Sequence, residues 1–237
     1  MTESAAPLLK VGDLHAWYGE SHVLHGLSIE VQRGEVVTLL GRNGAGKTTT
    51  LRAIIGLMRK LRGSIRFEGA EIAGLAPEKV ARRGIGYCPE ERGIFASLTV
   101  SENLGLPPAT RAGGLEENEI FALFPNLRER LGSQGNRLSG GEQQMLAIGR
   151  ILRTGAPLLL LDEPTEGLAP VIVAQIRRVL EALKAKGKTL LLVEQNFQFA
   201  SRVADRHYVV ENGRTVDMFD NRDLASNRAR LERYLGI

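Results

Sequence analysis

A chain of 237 residues, with 43% hydrophobic and 24% charged side chains, can bury a sizeable core as one medium domain, or one domain with a small insert, and this excludes disordered and fibrous classes. Lys and Arg number 31 against 27 Asp and Glu, a formal charge of +4. That mild surplus suits an anionic ligand and falls short of the basic footprint of a dedicated nucleic-acid binder. The longest apolar run, Ile120 to Phe124, is far shorter than the roughly 20 residues of a bilayer span. Met1 to Lys10 lacks the basic and apolar regions of a secretory signal. Cys88 is the sole cysteine, so no internal disulfide is expected and a reducing cytoplasm fits. The histidines, His15, His22, His25 and His207, show no metal-ligand spacing and read as surface or strand residues.

Met1 to Pro7 reads as a polar tail, and Leu8–Leu14 and Val23–Val31 as strands. After a turn at Gly34-Glu35, the apolar Val-Val-Thr-Leu-Leu predicts a strand ending at Leu40 in a glycine-rich loop. A helix is expected over Lys47–Leu57, a hairpin over Gly63–Ile72, a helix over Pro77–Arg83 and a strand over Gly84–Cys88. From Pro89 to about Gln134 the character changes to a small helical insert, with short helices at Val100–Leu104 and Glu116–Phe124. Then follow a helix over Ser139–Leu152, a buried strand over Leu158–Leu161, a helix over Val171–Lys186 and a strand over Thr189–Val193. Val173, Ile176, Leu180 and Leu183 share one face of that last helix, and Gly187 stops it. Asp220 to Ile237 reads as two short helices with no assignable chemistry. Strands alternating with helices predict an α/β fold, a parallel sheet covered on both faces.

Gly41-Arg42-Asn43-Gly44-Ala45-Gly46-Lys47-Thr48 fits G-x-x-x-x-G-K-[ST] between a strand and a helix. Glycines there let backbone N–H groups converge on phosphate oxygens, and the helix N-terminus adds its positive end. Lys47 can reach the β- and γ-phosphates, the Thr48 hydroxyl can ligate Mg²⁺, and Thr49 can bond phosphate. Leu158–Leu161 leads into Asp162 and Glu163, two carboxylates at the end of a strand where open α/β sheets bind ligands. Asp162 would hold Mg²⁺ through water, and Glu163 would polarise the attacking water as general base. Taken alone, the pair also fits a strand followed by a polar turn.

Ser139 and Glu142 have the spacing of a capping box, so Leu138-Ser139-Gly140-Gly141-Glu142-Gln143-Gln144 could be simply a well-capped helix start. Gly140 and Gly141, however, expose N–H groups there and make a second anion site. One nucleotide does not need two such sites in one chain, so this one is expected to close over a nucleotide held by another subunit.

These residues resemble the signature of ABC transporters, and the order of motifs from Leu8 to about Arg214 resembles an ABC ATP-binding cassette. The resemblance implies a P-loop NTPase with a RecA-like parallel-sheet core, an antiparallel β subdomain and a small helical subdomain. Residues 1–237 would form one such domain, with about 8–90 and 150–237 as the ATP-binding core and 91–149 as the helical signature subdomain. It implies ATP and Mg²⁺ as cofactors and a head-to-tail cassette dimer, in which Ser139, Gly140, Gly141 and Glu142 face the other subunit's nucleotide. Tyr18 stands where the family places its adenine-stacking aromatic; Trp17 is its rival, and a core strand aromatic is the plainer alternative.

Three positions depart from the family pattern. Glu90 replaces the Q-loop glutamine; its carboxylate can still ligate Mg²⁺ but adds negative charge. Glu166-Gly167-Leu168-Ala169 lacks the D-loop carboxylate, and Gln195 replaces the switch histidine. A glutamine keeps a hydrogen bond and loses its charge assistance, which implies a site slower by roughly 5- to 30-fold than one with histidine. With Pro89-Glu90, Glu102-Asn103-Leu104, Leu123-Phe124-Pro125-Asn126-Leu127, Gly141 to Ile148 and Val193-Glu194-Gln195-Asn196, these resemble the LivF-type subunit of branched-chain amino-acid importers. That resemblance implies a second, non-identical cassette (a homodimer in isolation being possible), two membrane-spanning permease subunits and, indirectly, a periplasmic binding protein. It also implies a cytoplasmic, peripheral place on the inner face of the membrane, with Phe95–Leu106 as the surface that couples to the permease. Urea or short-amide import is the alternative substrate class, and a soluble ABC protein acting on DNA or ribosomes is a third reading. The chain lacks the latter's coiled-coil insert or second cassette, and no nucleic-acid partner is expected.

Overall fold

Residues 6–236 are described by a computed structural model, and within them two sheets set the architecture. The chain enters through β1 (Leu9–Tyr18) and β2 (Ser21–Val31), an antiparallel pair. Next, β3 (Val36–Leu40) is buried at every residue and runs into α1 (Lys47–Ile54). The hairpin β4 (Lys60–Phe67) and β5 (Ala70–Glu71) returns to the first sheet, whose order is β2-β1-β4-β5. Then α2 (Pro77–Arg82), with proline in its first turn, leads to β6 (Ile85–Cys88). Three short helices follow, α3 (Val100–Gly105), α4 (Glu117–Leu123) and α5 (Pro125–Glu129), before the longer α6 (Gly140–Arg153). The chain closes with β7 (Leu158–Asp162), α7 (Pro170–Ala185), β8 (Thr189–Glu194), α8 (Phe197–Val203), β9 (Arg206–Glu211), β10 (Arg214–Asp220) and α9 (Leu224–Leu235).

The second sheet has six strands in the order β10-β9-β3-β8-β7-β6, parallel except for the antiparallel edge strand β10. Its strands feed two cores. Leu158, Leu160, Leu191 and Val193 pack toward the antiparallel sheet and α1, while Leu159, Leu161, Leu190 and Leu192 pack toward the helical side. Both faces being covered is why these strands read as unbroken apolar runs. A third, smaller cluster joins Leu40, Val209 and Phe219 to Leu231 of the last helix.

Several boundaries differ from expectation for local reasons. The first strand does not stop at Leu14. Asp13 takes φ 47° and the register slips between Gly12 and His15, a bulge that interrupts the alternation before the strand continues to Tyr18. Helix α1 ends at Ile54, short of Leu57, and α7 begins one residue early because Pro170 occupies its first turn. The terminal stretch holds two helical segments, as expected, but of unequal length and with no break between them. A single 3₁₀ turn, Asn221–Asp223, capped by Asp220, runs directly into the 12-residue α9. The expected polar tail lies outside the described residues from Met1 to Ala5, as does Ile237. No helix among the described residues is long and apolar enough to cross a membrane.

Three histidines scattered in the sequence meet on the β1–β2 hairpin: His15 pairs across the strands with His25, and Trp17 with His22.

Candidate functional site

The loop from Gly41 to Gly46 hangs on the carboxyl end of the central strand β3. A Cβ at residue 41 would collide with the Val210 carbonyl, so only glycine lets the loop lie against the neighbouring strand. Gly46 has φ 108° and would place a Cβ 2.8 Å from Leu24, and it caps α1 without any side-chain hydrogen bond. The first-turn N–H groups of α1 therefore face the cavity unclaimed by a cap, as an anion requires.

Lys47 lies in this cavity of about 310 Å³ with Asn43, Gly44, Ala45, Gly46, Thr48 and Thr49. Its Nζ donates to the carbonyls of Gly41 (2.8 Å) and Arg42 (3.2 Å) and stands 3.7 Å from Glu163 Oε1. Loss of water holds Lys47 below the ordinary lysine range, against the opposing pull of Glu163, Asp162 and Glu194.

Two strand ends bring those carboxylates together. Asp162, at the end of β7, accepts from Thr48 Oγ1 at 3.0 Å and from the Tyr87 hydroxyl at 3.2 Å. Burial holds Asp162 above its ordinary range in spite of those two bonds, and Glu90 nearby adds to the effect. A buried carboxylate with a hydroxyl and a second carboxylate at hand is an oxygen donor set that suits Mg²⁺. The uncapped helix start and buried Lys47 likewise suit a nucleotide's phosphates, so the residues present fit Mg·ATP.

Glu163 takes φ 45°, a left-handed conformation costing on the order of 1 kcal/mol, and its N–H is tied to the Val193 carbonyl at 3.0 Å. Its side chain is held twice: Lys47 approaches Oε1, and Gln195 Nε2 donates to Oε2 at 2.7 Å. The Gln195 amide thus serves the carboxylate itself. Gln195→Ala should cut ATP turnover by roughly 5- to 30-fold with little change in nucleotide affinity, because one positioning hydrogen bond is worth about 1–2 kcal/mol. Steady-state turnover against bound-nucleotide titration checks it.

The residues missed from sequence are Tyr87, Thr165, Glu166 and Glu194. Glu166 lines the cavity, and a hydrogen bond shared with the Glu163 carboxyl pushes it above the ordinary range. Glu194 ends β8 beside Leu40 and accepts from Thr165 Oγ1 at 2.9 Å. Burial pushes Glu194 from 4.5 up to about 7. An acid raised in the folded state holds an extra proton between its unfolded and folded values. Its contribution to stability therefore falls as pH rises from about 4.5 to about 7 and is flat above. Glu194→Gln should remove that slope and gain ~1–3 kcal/mol at pH 8 relative to pH 5 in the nucleotide-free chain, read by urea unfolding at both pH values. Position was the available signal, since Glu194 closes an apolar strand just as Asp162 does.

Of the residues expected at the site, Glu90 and Gln195 line the cavity with Glu163 and the loop. Tyr18 stands outside its lining, exposed, with its hydroxyl 3.5 Å from Arg52. Trp17 faces another way, stacked on His22 at 4.3 Å. Arg42 turns its guanidinium to Gly236 beyond the last helix. Ser139 and Glu142 form the expected reciprocal cap at the start of α6, and Glu142 also meets Arg130 at 3.3 Å. Gly140 lies against Arg92 and Gly141 against Ile172, and none of these four lines the loop's cavity.

Comparison with known proteins places this arrangement. The model of the family described as "ABC transporter" matches residues 24–166, more than half of the chain. The chain is 43% identical over 238 residues to the high-affinity branched-chain amino acid transport ATP-binding protein BraG of Pseudomonas aeruginosa, covering 97% of this chain and all of that one. It is 36% identical over 216 residues to a probable branched-chain amino acid transport ATP-binding protein, LivF, of Archaeoglobus fulgidus (88% and 90% covered). It is also 32% identical over 236 residues to the lipopolysaccharide export ATP-binding protein LptB of Acidithiobacillus ferridurans, covering 97% of each. Among solved structures, a nucleotide-free ATP-binding cassette from an ABC transporter superposes with TM-score 0.83 at 26% identity (98% and 99% covered). An ATP-binding subunit of an ABC transporter superposes with TM-score 0.79 at 33% identity, covering 97% and 100%. The chain belongs to the ABC transporter family and is one of its ATP-hydrolysing subunits, with the P-loop ABC ATPase fold.

Proposed function

We propose that this chain energises import of branched-chain amino acids as the LivF-type subunit of a binding-protein-dependent transporter. The observation that carries the reading is the end-to-end similarity to BraG. The combination of Glu90, Ala169 and Gln195 supports it, since these depart from the general cassette pattern as a set. In this reading the chain is a single cassette, cytoplasmic and peripheral on the membrane's inner face. It pairs with a second cassette and docks on two permease subunits. Phe95 and Leu106, half exposed, would contribute to that docking surface.

The site residues take these roles. The loop N–H groups, Lys47 and Thr49 bind the β- and γ-phosphates, and Tyr18 stacks on adenine. Thr48 and Glu90, with Asp162 through water, would hold Mg²⁺, which would supply charge neutralisation for the phosphoryl oxygens. Glu163 takes the proton of the attacking water, with Gln195 fixing the carboxylate's second oxygen. Ser139, Gly140, Gly141 and Glu142 close over the nucleotide of the partner cassette.

Uptake of radiolabelled leucine, isoleucine and valine by cells deleted for this chain tests the substrate. Loss of uptake, restored by the wild-type chain and not by Lys47→Ala, is expected. Unchanged uptake of all three with loss of urea or short-amide uptake would move the chain to the alternative importer class.

A further inference from the structure

We propose that the β1–β2 hairpin carries a binding site for a late-transition divalent cation of the Zn²⁺, Ni²⁺ or Cu²⁺ class, held between His15 Nδ1 and His22 Nε2. These two nitrogens lie 3.1 Å apart. Imidazole nitrogens bonded at about 2.0–2.1 Å to one ion are about 2.9 Å apart at right angles and about 3.3 Å apart in a tetrahedron. The observed separation, that of a hydrogen bond between the two rings, falls between the two; the rings, stacked at 28°, must tilt to bring both lone pairs onto one ion lying off the line between them.

The surroundings fix each ring. With its proton on Nε2, His15 donates to Asp13 Oδ1 at 3.3 Å and turns its Nδ1 lone pair to His22, whose Nε2 proton is released to water when the ion binds. This carboxylate–histidine pairing is the usual support behind a metal-bound imidazole. The bulge at Asp13 re-aims the strand there, and the Asp13 N–H is itself held by Ser28 Oγ at 2.9 Å. His22 stacks on Trp17, at 4.3 Å and 10° from parallel, and meets the His25 ring at 4.0 Å, tilted by 52°. Among the described residues no group of three or more His, Cys, Asp and Glu side chains is arranged to hold a metal, so the chain itself offers the ion two ligands. Nitrogen donors select the late transition series over Mg²⁺ and Ca²⁺. Arg62 opposite His15, and Lys60 over the Trp17 ring at 5.7 Å, add positive charge that opposes any divalent cation, so binding there rests on the nitrogen donors.

His15 and His22 stand on opposite arms of the turn that presents exposed Tyr18, so an ion between them ties those arms together. The site is separate from the phosphate loop and does not depend on how Tyr18 is used.

Trp17 is the only tryptophan of the chain and stacks on a proposed ligand, which makes it a built-in reporter. The full chain, with Mg·ADP present, is titrated with Cu²⁺ while Trp17 fluorescence is followed. Saturable quenching at one equivalent, reversed by a large excess of Zn²⁺ and insensitive to excess Mg²⁺, is expected. His15→Gln and His22→Gln should each move the midpoint up by about tenfold or more, and Asp13→Asn by about tenfold. Linear quenching without saturation, or the same midpoint in both histidine variants, overturns the site. Imidazole resonances of the wild-type chain, followed by NMR on adding Zn²⁺, give a reading free of any folding defect. Selective shifts of His15 and His22 support the site, and their absence rejects it.

Discussion

Glu163→Gln lowers ATP turnover at this chain's site by about 10²–10⁴-fold, the usual contribution of a positioned general base, and leaves nucleotide affinity within a few-fold of wild type. The side chain ends a buried strand, reaches into the phosphate-loop cavity and has its two oxygens held by Lys47 and Gln195. An amide fills the same space and still accepts a bond from Gln195, so the cavity keeps its shape. What it loses is the ability to take a proton. Turnover of the assembled transporter, with this change alone and with the matching change in the partner cassette, measures the effect. Turnover within threefold of wild type at this site would remove Glu163 from the role of base.

Lys47→Ala lowers affinity for Mg·ATP by at least about 100-fold. Among the described residues, Lys47 is the one cation that lines the cavity, and it is 4% exposed. Two charge-assisted hydrogen bonds to phosphate at about 1.5–3 kcal/mol each amount to 10²–10⁴ in binding. The change also leaves Asp162, Glu163 and Glu194 facing one another without the positive charge that now offsets them. Titration with a fluorescent ATP analogue reads the loss, and wild-type affinity in this variant would contradict the phosphate role of Lys47.

The parts of the fold and site that the sequence disclosed are those whose physics is local. The phosphate loop needs glycines at fixed offsets between a strand and a helix, and the cap of α6 needs Ser139 and Glu142 three apart; both spacings survive translation into structure unchanged. The doubly covered sheet was legible because burial on both faces leaves unbroken apolar runs such as Leu158–Leu161. What stayed hidden depends on contacts between distant residues. Glu194 looks like any polar strand end until β3, β8 and Thr165 enclose it. Tyr87 becomes part of the site only because β6 lies beside β7, bringing its hydroxyl to Asp162. His15, His22 and His25 have no ligand spacing along the chain, and they meet through cross-strand pairing and a bulge that no periodicity announces. The same bulge concealed the true end of the first strand, and the direct run of the 3₁₀ turn at Asn221–Asp223 into α9 concealed how unequal the two terminal helical segments are.

In the proposed reading, a nucleotide on this chain's phosphate loop is completed by the Ser139–Glu142 segment of another cassette, since that segment lies away from the loop's cavity in its own chain. The direct measurement is the mass of the particle formed by the Glu163→Gln chain with Mg·ATP, alone and mixed with its partner cassette carrying the matching change, by light scattering. A stable two-cassette particle that reverts to single chains when ATP is replaced by ADP, and that fails to form with Ser139→Arg in both cassettes, is predicted. Single chains throughout, in saturating ATP and with the partner present, would contradict it.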